Sequence, residues 1–126
     1  MARVALVVDD SMLIRHSVCR FLEERGFAVE SATNGKEALE MLKTVLPDLI
    51  VTDLLMPKMD GPELITHLKA SPQTAAIPIF VLAGRQTSSS TPESRANYVI
   101  YKDIEIESQL HKALIAALGE GVVTEP

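Results

Sequence analysis

A chain of 126 residues has room for one domain, and with 47% hydrophobic residues, no Trp and few aromatics its core has to be aliphatic. Seventeen acidic residues against twelve basic ones give a formal charge of -5, so no Lys/Arg cluster offers a footprint for nucleic acid or an anionic membrane surface. No apolar run is long enough to span a bilayer. The single cysteine, Cys19, excludes an internal disulfide. The apolar run after Arg3 stops at Asp9 and Asp10, which is not a secretory signal pattern, and a cytoplasmic protein is expected.

In chain order, Val4-Ala5-Leu6-Val7-Val8 predicts a first strand, and Ser11 or Asp10 caps a helix with Ile14, Val18, Phe21 and Leu22 inward and Gly26 at its end. Phe27 to Ser31 is a weaker strand. Asn34-Gly35 turns the chain into a second helix carrying Ala38, Leu39, Leu42 and Leu46, which Pro47 stops. Leu49-Ile50-Val51 is the third strand. The next helix begins after Gly61 with Pro62 in its first turn and carries Leu64, Ile65 and Leu68. Ile79 to Leu82 and Tyr98 to Tyr101 supply two more strands, and Ile106, Leu110, Leu114, Ala117 and Leu118 form one stripe of a final helix before Gly119.

Between the last two strands, the stretch from Gly84 to Asn97 offers almost nothing to bury. Thr91-Pro92-Glu93 is a fair helix start, so a helix of one or two turns, or none, is expected here. Residues 120–126 read as a flexible tail or truncated linker behind a domain over residues 1–119. Strands apolar throughout, separated by helices, specify an α/β fold: a doubly wound, five-stranded parallel sheet covered on both faces. Ligands of such sheets sit beyond the carboxyl ends of the strands.

Those ends carry the chemistry. The first strand ends at Asp9-Asp10, the third at Asp53, the fourth at Ala83 and the fifth at Lys102. If the first and third strands are neighbours, roughly 5 Å apart, three carboxylates converge. They stay ionised together only around a shared cation, and Mg²⁺, which takes few carboxylates and keeps room for phosphate oxygens, suits them. Lys102 adds a point charge for a phosphate oxygen. Such a set fits phosphoryl transfer, with Asp53 able to act as the acceptor itself. Singly, Asp10 and Ser11 read as helix caps, Asp60-Gly61 as a turn, Asp53 as a turn residue and Lys102 as a solvated lysine. Convergence at one sheet edge is what argues for a site. His16, His67 and His111 are scattered on helices and read as surface residues. Met12, Met41, Met56 and Met59 read as packing residues, and Cys19 as a small core or flank side chain.

Asp9-Asp10-Ser11 after an aliphatic strand, Asp53-Leu54-Leu55-Met56-Pro57-Lys58-Met59-Asp60-Gly61, and Lys102 after a fifth strand together resemble the receiver domain of two-component response regulators. The resemblance implies a flavodoxin-like strand order 2-1-3-4-5. It implies that Asp53 is the phosphoacceptor, that Lys102 contacts the phosphoryl group, and that Asp10, Asp53 and the Leu55 backbone carbonyl bind Mg²⁺ directly while Asp9 acts mainly through water. The phosphate would come from a phosphohistidine on a sensor histidine kinase or histidine phosphotransfer protein. No enzyme activity beyond self-catalysed phosphorylation and dephosphorylation is implied.

Three positions depart from the family. Ala83 stands where a Ser or Thr hydroxyl usually bonds the phosphoryl group, Val99 takes the aromatic switch position, and Asp103 replaces the usual proline, which argues against a cis peptide after Lys102. Thr87 or Ser88 could stand in for the missing hydroxyl, and Arg85 could reach the phosphoryl group. The competing expectation is a pseudo-receiver that binds partners without phosphate. A related phosphohydrolase is disfavoured because Leu55, two residues after Asp53, cannot act as acid or base. Nothing in the sequence names a downstream partner or output domain.

Overall fold

The structure, a computed structural model, describes residues 3–84 and 93–119. Strands β1 (Val4–Val8), β2 (Ala28–Ala32), β3 (Leu49–Asp53), β4 (Ile79–Ala83) and β5 (Tyr98–Tyr101) form one parallel sheet in the order β2-β1-β3-β4-β5. Helices α1 (Met12–Glu23), α2 (Gly35–Met41), α3 (Gly61–Ala70) and α4 (Ile106–Leu118) lie between and after them. This is the doubly wound, flavodoxin-like architecture expected. Among the described residues no helix is long and apolar enough to cross a membrane.

Side-chain alternation along each strand explains the two-sided cover. Ala5, Val7, Leu49, Val51, Phe80 and Leu82 point to one face and pack with Phe21 and Leu22 of α1 and Leu110 and Leu114 of α4. Leu6, Val8, Ile50, Ile79 and Val81 point to the other, against Ala38 of α2 and Leu64, Ile65 and Leu68 of α3. Every residue of β3 and β4 is buried, which is why these runs carry no alternation in sequence. β2 lies at an edge, with Glu30 and Ser31 exposed, and this accounts for its weak signature.

Helix boundaries follow local chemistry. Ser11, not Asp10, caps α1, its Oγ accepting from Ile14 N–H at 3.3 Å. Asn34 and Asp60 cap α2 and α3 in the same way. Beyond α1, Gly26 adopts φ +90° and Phe27 N–H reaches back to Leu22 C=O at 3.1 Å, a closure that favours glycine.

One expectation needs correction. The second helix does not run to Pro47: it ends at Met41, where Lys43 and Thr44 turn to tighter three-residue bonds to Glu40 and Met41 while Val45 N–H makes a last bond to Met41 C=O, and Leu46 is left 63% exposed. The helix start at Thr91-Pro92-Glu93 falls mostly outside the described residues, as do Arg85, Thr87 and Ser88. The described part, residues 93–97, is a turn rather than a helix. There Arg95 pairs with the buried Glu93 at 2.8 Å and donates to Thr66 Oγ1 and Pro62 C=O of α3.

Candidate functional site at the carboxyl ends of the strands

Residues just past β1 and at the end of β3 meet because these strands are paired neighbours. One carboxylate oxygen each from Asp9, Asp10 and Asp53 lies within 4.8 Å of the others. Asp9 is fully buried, Asp53 nearly so, and Asp10 is exposed at the mouth. Lys102, just past β5, extends its ammonium over the cluster, with Nζ 3.1 Å from Asp53 Oδ1 and 3.4 Å from Asp9 Oδ2.

The carboxylates are held by backbone donors, and the backbone of Asp9 by an arginine that sequence reasoning overlooked. Asp9 Oδ1 accepts from Ser11 N–H at 2.8 Å, and Asp53 Oδ1 from Leu54 N–H at 2.9 Å. Arg15, in the first turns of α1, donates to Asp9 C=O at 2.8 Å. A cation five residues after a paired acid was its only sequence signal. The loop after β3 is pinned too. Gly61 N–H bonds Leu54 C=O at 2.8 Å, and Gly35 N–H bonds Met59 C=O at 3.0 Å. Both glycines are required by close approach, since a Cβ on Gly35 would stand 2.7 Å from Met59 Cγ and one on Gly61 would overlap the Asp53 carbonyl.

Burial raises the pKa of Asp9; the Ser11 N–H opposes that, the Asp53 charge adds to it and Lys102 again opposes it. For Lys102, burial works against the charged form, but the hydrogen bond and charge of Asp53, with Asp9 behind it, outweigh burial and raise its pKa. The ammonium therefore stays charged.

The donor set fits a hard divalent ion. Asp9 Oδ2 is buried and lacks a hydrogen-bond partner, although Lys102 stands at ion-pair distance. All the converging ligand atoms are oxygens, and among the described residues Lys102 is the one cation in ion-pair contact with them. Leu55 lies in the loop beyond Asp53 with an exposed side chain, and no hydrogen bond among the described residues ends on its carbonyl.

Ala83 ends β4 at the rim of the site. Its side chain is a buried methyl group, and its carbonyl accepts from Lys102 N–H at 2.8 Å, carrying the ladder one step past the strand. Val99 is half-buried opposite Val81. The nearby aromatic contact belongs instead to Tyr98, whose ring meets Phe80 edge-on at 5.6 Å. No cis peptide occurs among the described residues, as Asp103 leads one to expect.

Residues 5–115 match the family described as response regulator receiver domain. The chain belongs to that family. A response regulator called MprA from Mycobacterium ulcerans is 42% identical over 84 residues, which is 67% of this chain and 35% of that protein. The chain thus spans little more than a third of the length of the curated relatives it matches. Chemotaxis response regulator CheY4 of Vibrio cholerae superposes with a TM-score of 0.84 at 30% identity, over 94% of this chain and all of that one. The signal receiver domain of a signal transduction histidine kinase from Syntrophus aciditrophicus does so with a TM-score of 0.75 at 32% identity, over 94% and 95% of the two chains. The chain is therefore a receiver domain of two-component, phosphorelay signalling, and receiver domains are phosphoacceptors rather than conventional enzymes. They bind Mg²⁺ at an acidic pocket and take phosphate from histidine kinases.

Proposed function

We propose that Asp53 is the phosphoacceptor and that Asp9, Asp10, Asp53 and the Leu55 carbonyl hold Mg²⁺ beside it. The observation that carries this reading is the meeting of three carboxylates with one ammonium at a single sheet edge. Leu54 N–H and Lys102 both act on Oδ1 of Asp53, which orients the carboxylate. A carboxylate oxygen attacks the phosphorus of a phosphohistidine, the P–N bond breaks, and its electron pair returns to the imidazole, leaving an acyl phosphate on Asp53. Mg²⁺ would neutralise charge on the phosphoryl oxygens as they pass between donor and acceptor. Lys102 pairs with one of those oxygens, exchanging its contact with Asp53 for the new anion. Hydrolysis of the acyl phosphate resets the domain.

The domain occupies residues 1–119, and it works in the cytoplasm with a sensor kinase or histidine phosphotransfer protein as donor. Because Ala83 supplies no hydroxyl and Val99 no ring, phosphorylation alters partner binding by a route other than the family's usual hydroxyl and aromatic pair. Ala83 and the stretch from Gly84 to Asn97, with almost nothing to bury, are what speak for the competing reading, a pseudo-receiver; the intact set of Asp9, Asp10, Asp53 and Lys102 opposes it. Incubation with acetyl phosphate and Mg²⁺ separates the two. Intact mass should rise by one phosphoryl group in the wild type and not in Asp53→Asn. An unmodified wild type, with partner binding indifferent to Asp53→Asn, overturns the phosphoacceptor reading.

A further inference from the structure

Lys102 works only if its backbone is held, and the open edge of the sheet shows what holds it. Lys102 N–H bonds Ala83 C=O on the β4 side at 2.8 Å, so the preceding residue, Tyr101, turns its own N–H and C=O toward the side of β5 where no strand pairs. Gln109, at the end of the first turn of α4, fills that side. Its Oε1 accepts from Tyr101 N–H at 2.8 Å and its Nε2 donates to Tyr101 C=O at 2.8 Å. The carboxamide behaves as one peptide unit of an absent sixth strand, covering an edge that would otherwise be left bare. The same Nε2 reaches Glu105 C=O at 3.0 Å and Ile104 C=O at 3.4 Å, while Ile104 N–H returns to Tyr101 C=O at 3.3 Å. The turn that starts at Lys102 is therefore closed around one side chain.

We propose that Gln109 is a positioning residue for Lys102. It fixes the strand end from the open side while β4 fixes it from the other, and so sets where the ammonium meets Asp53. A turn with Asp103 after the lysine has no ring to fix φ, so this constraint has to come from side-chain hydrogen bonds. The proposal rests on the phosphoacceptor reading of Asp53, and its test separates the two.

Gln109→Met keeps the length of the side chain and removes its hydrogen bonds. With acetyl phosphate and Mg²⁺, this variant should label Asp53 about tenfold more slowly than wild type, the order expected when a catalytic group shifts by a fraction of an ångström. In a Lys102→Met background the same change should cost less than about twofold, since a residue acting through Lys102 has nothing left to act on. Equal losses in both backgrounds, or none in either, overturn the proposal. A second readout needs no phosphorylation: the ¹⁵N signal of the Lys102 ammonium, sharpened by its two ion pairs, should broaden in Gln109→Met. If the wild type takes up no phosphoryl group, the acceptor reading fails and this signal alone decides, an unchanged ammonium overturning the role of Gln109. Should the methionine variant not fold, Gln109→Glu keeps the acceptor for Tyr101 N–H but sets a carboxylate oxygen against the Tyr101, Ile104 and Glu105 carbonyls, and should show a loss of the same kind; no loss there overturns the proposal.

Discussion

Lys102 Nζ lies 3.1 Å from Asp53 Oδ1 and 3.4 Å from Asp9 Oδ2. With Asp10 also within reach, one ammonium faces three carboxylates, and when all are ionised two negative charges are left over. A divalent cation cancels that excess. Mg²⁺ should therefore raise the melting temperature, with a stabilisation of about 2.7 kcal/mol at a hundredfold excess over the dissociation constant. Asp10→Asn should reduce this shift sharply. A melting curve identical in Mg²⁺ and in chelator sinks the metal assignment.

Asp9 should weaken the metal-free fold. Burial and the Asp53 charge together raise its pKa above the ordinary 3.8, against the pull of the Ser11 N–H and Lys102. A carboxyl that binds its proton more tightly when folded contributes stability at low pH, and that contribution declines as pH rises from 3.8 through the raised folded value. At neutral pH in chelator, Asp9→Asn should melt a few degrees higher than wild type, and Mg²⁺ should no longer help it. Scanning calorimetry in chelator, with and without the substitution, checks the sign; a lower melting temperature for Asp9→Asn contradicts it.

The sheet and its acidic edge were legible because they rest on residues that can do little else. Val4 to Val8, Leu49 to Val51 and Ile79 to Leu82 are buried on both faces, so their uniform apolarity marks them as strands, and the acids beyond them inherit their place from strand pairing. The end of α2 was not legible, because Leu46 keeps the helical spacing although the chain after Met41 tightens into a turn with bonds from Lys43 to Glu40 and from Thr44 to Met41. Arg15 and Gln109 were missed for a different reason. Each acts by bonding backbone groups of the preceding turn or strand end, and a backbone partner leaves no trace in side-chain patterning.

The turn before β5 should be sensitive to acid. Glu93 is buried, and the Arg95 guanidinium holds its pKa below the ordinary 4.5 against the opposing effect of burial. A depressed carboxyl pKa contributes stability that is present above 4.5 and lost as pH falls through the folded value. Glu93→Gln should flatten that part of the acid limb of a stability–pH curve. Arg95→Ala also loses the bonds to Thr66 and Pro62 and leaves a buried carboxylate unpaired, which should cost roughly 1–3 kcal/mol in denaturant melts. A cost near zero would mean that this turn is not tied to α3.

Gly61→Ala tests the packing beneath the acceptor. The new methyl group would overlap the Asp53 carbonyl and the Leu54 Cα, both backbone atoms that cannot swing aside. Overpacking of this kind should cost about 1–3 kcal/mol and displace Asp53, slowing its labelling. Gly84→Ala is the control, since a Cβ there meets nothing within 4 Å among the described residues. Equal behaviour of the two variants would mean that the loop after β3 yields more easily than its hydrogen bonds imply.

Ala83→Ser asks whether the missing hydroxyl limits the readout. Ala83 is buried at the end of β4, and its carbonyl already holds Lys102 N–H, so a hydroxyl can be added without disturbing the backbone bond that places the lysine. Acceptor chemistry, which needs the carboxylates and Lys102, should be unchanged, with labelling rates within about twofold of wild type. The response to phosphorylation should differ. In the wild type, amide shifts caused by phosphorylation should centre on Asp53 and Lys102 and stay small at Tyr98 and Val99. In Ala83→Ser the new hydroxyl can bond a phosphoryl oxygen and draw the end of β4 with it, and the shifts should spread along β4 and β5, which pair from Phe80↔Tyr98 to Ala83↔Tyr101. Two-dimensional amide spectra of both proteins, with and without acetyl phosphate, measure this directly. Equally broad shifts in the wild type would show that another group already replaces the hydroxyl.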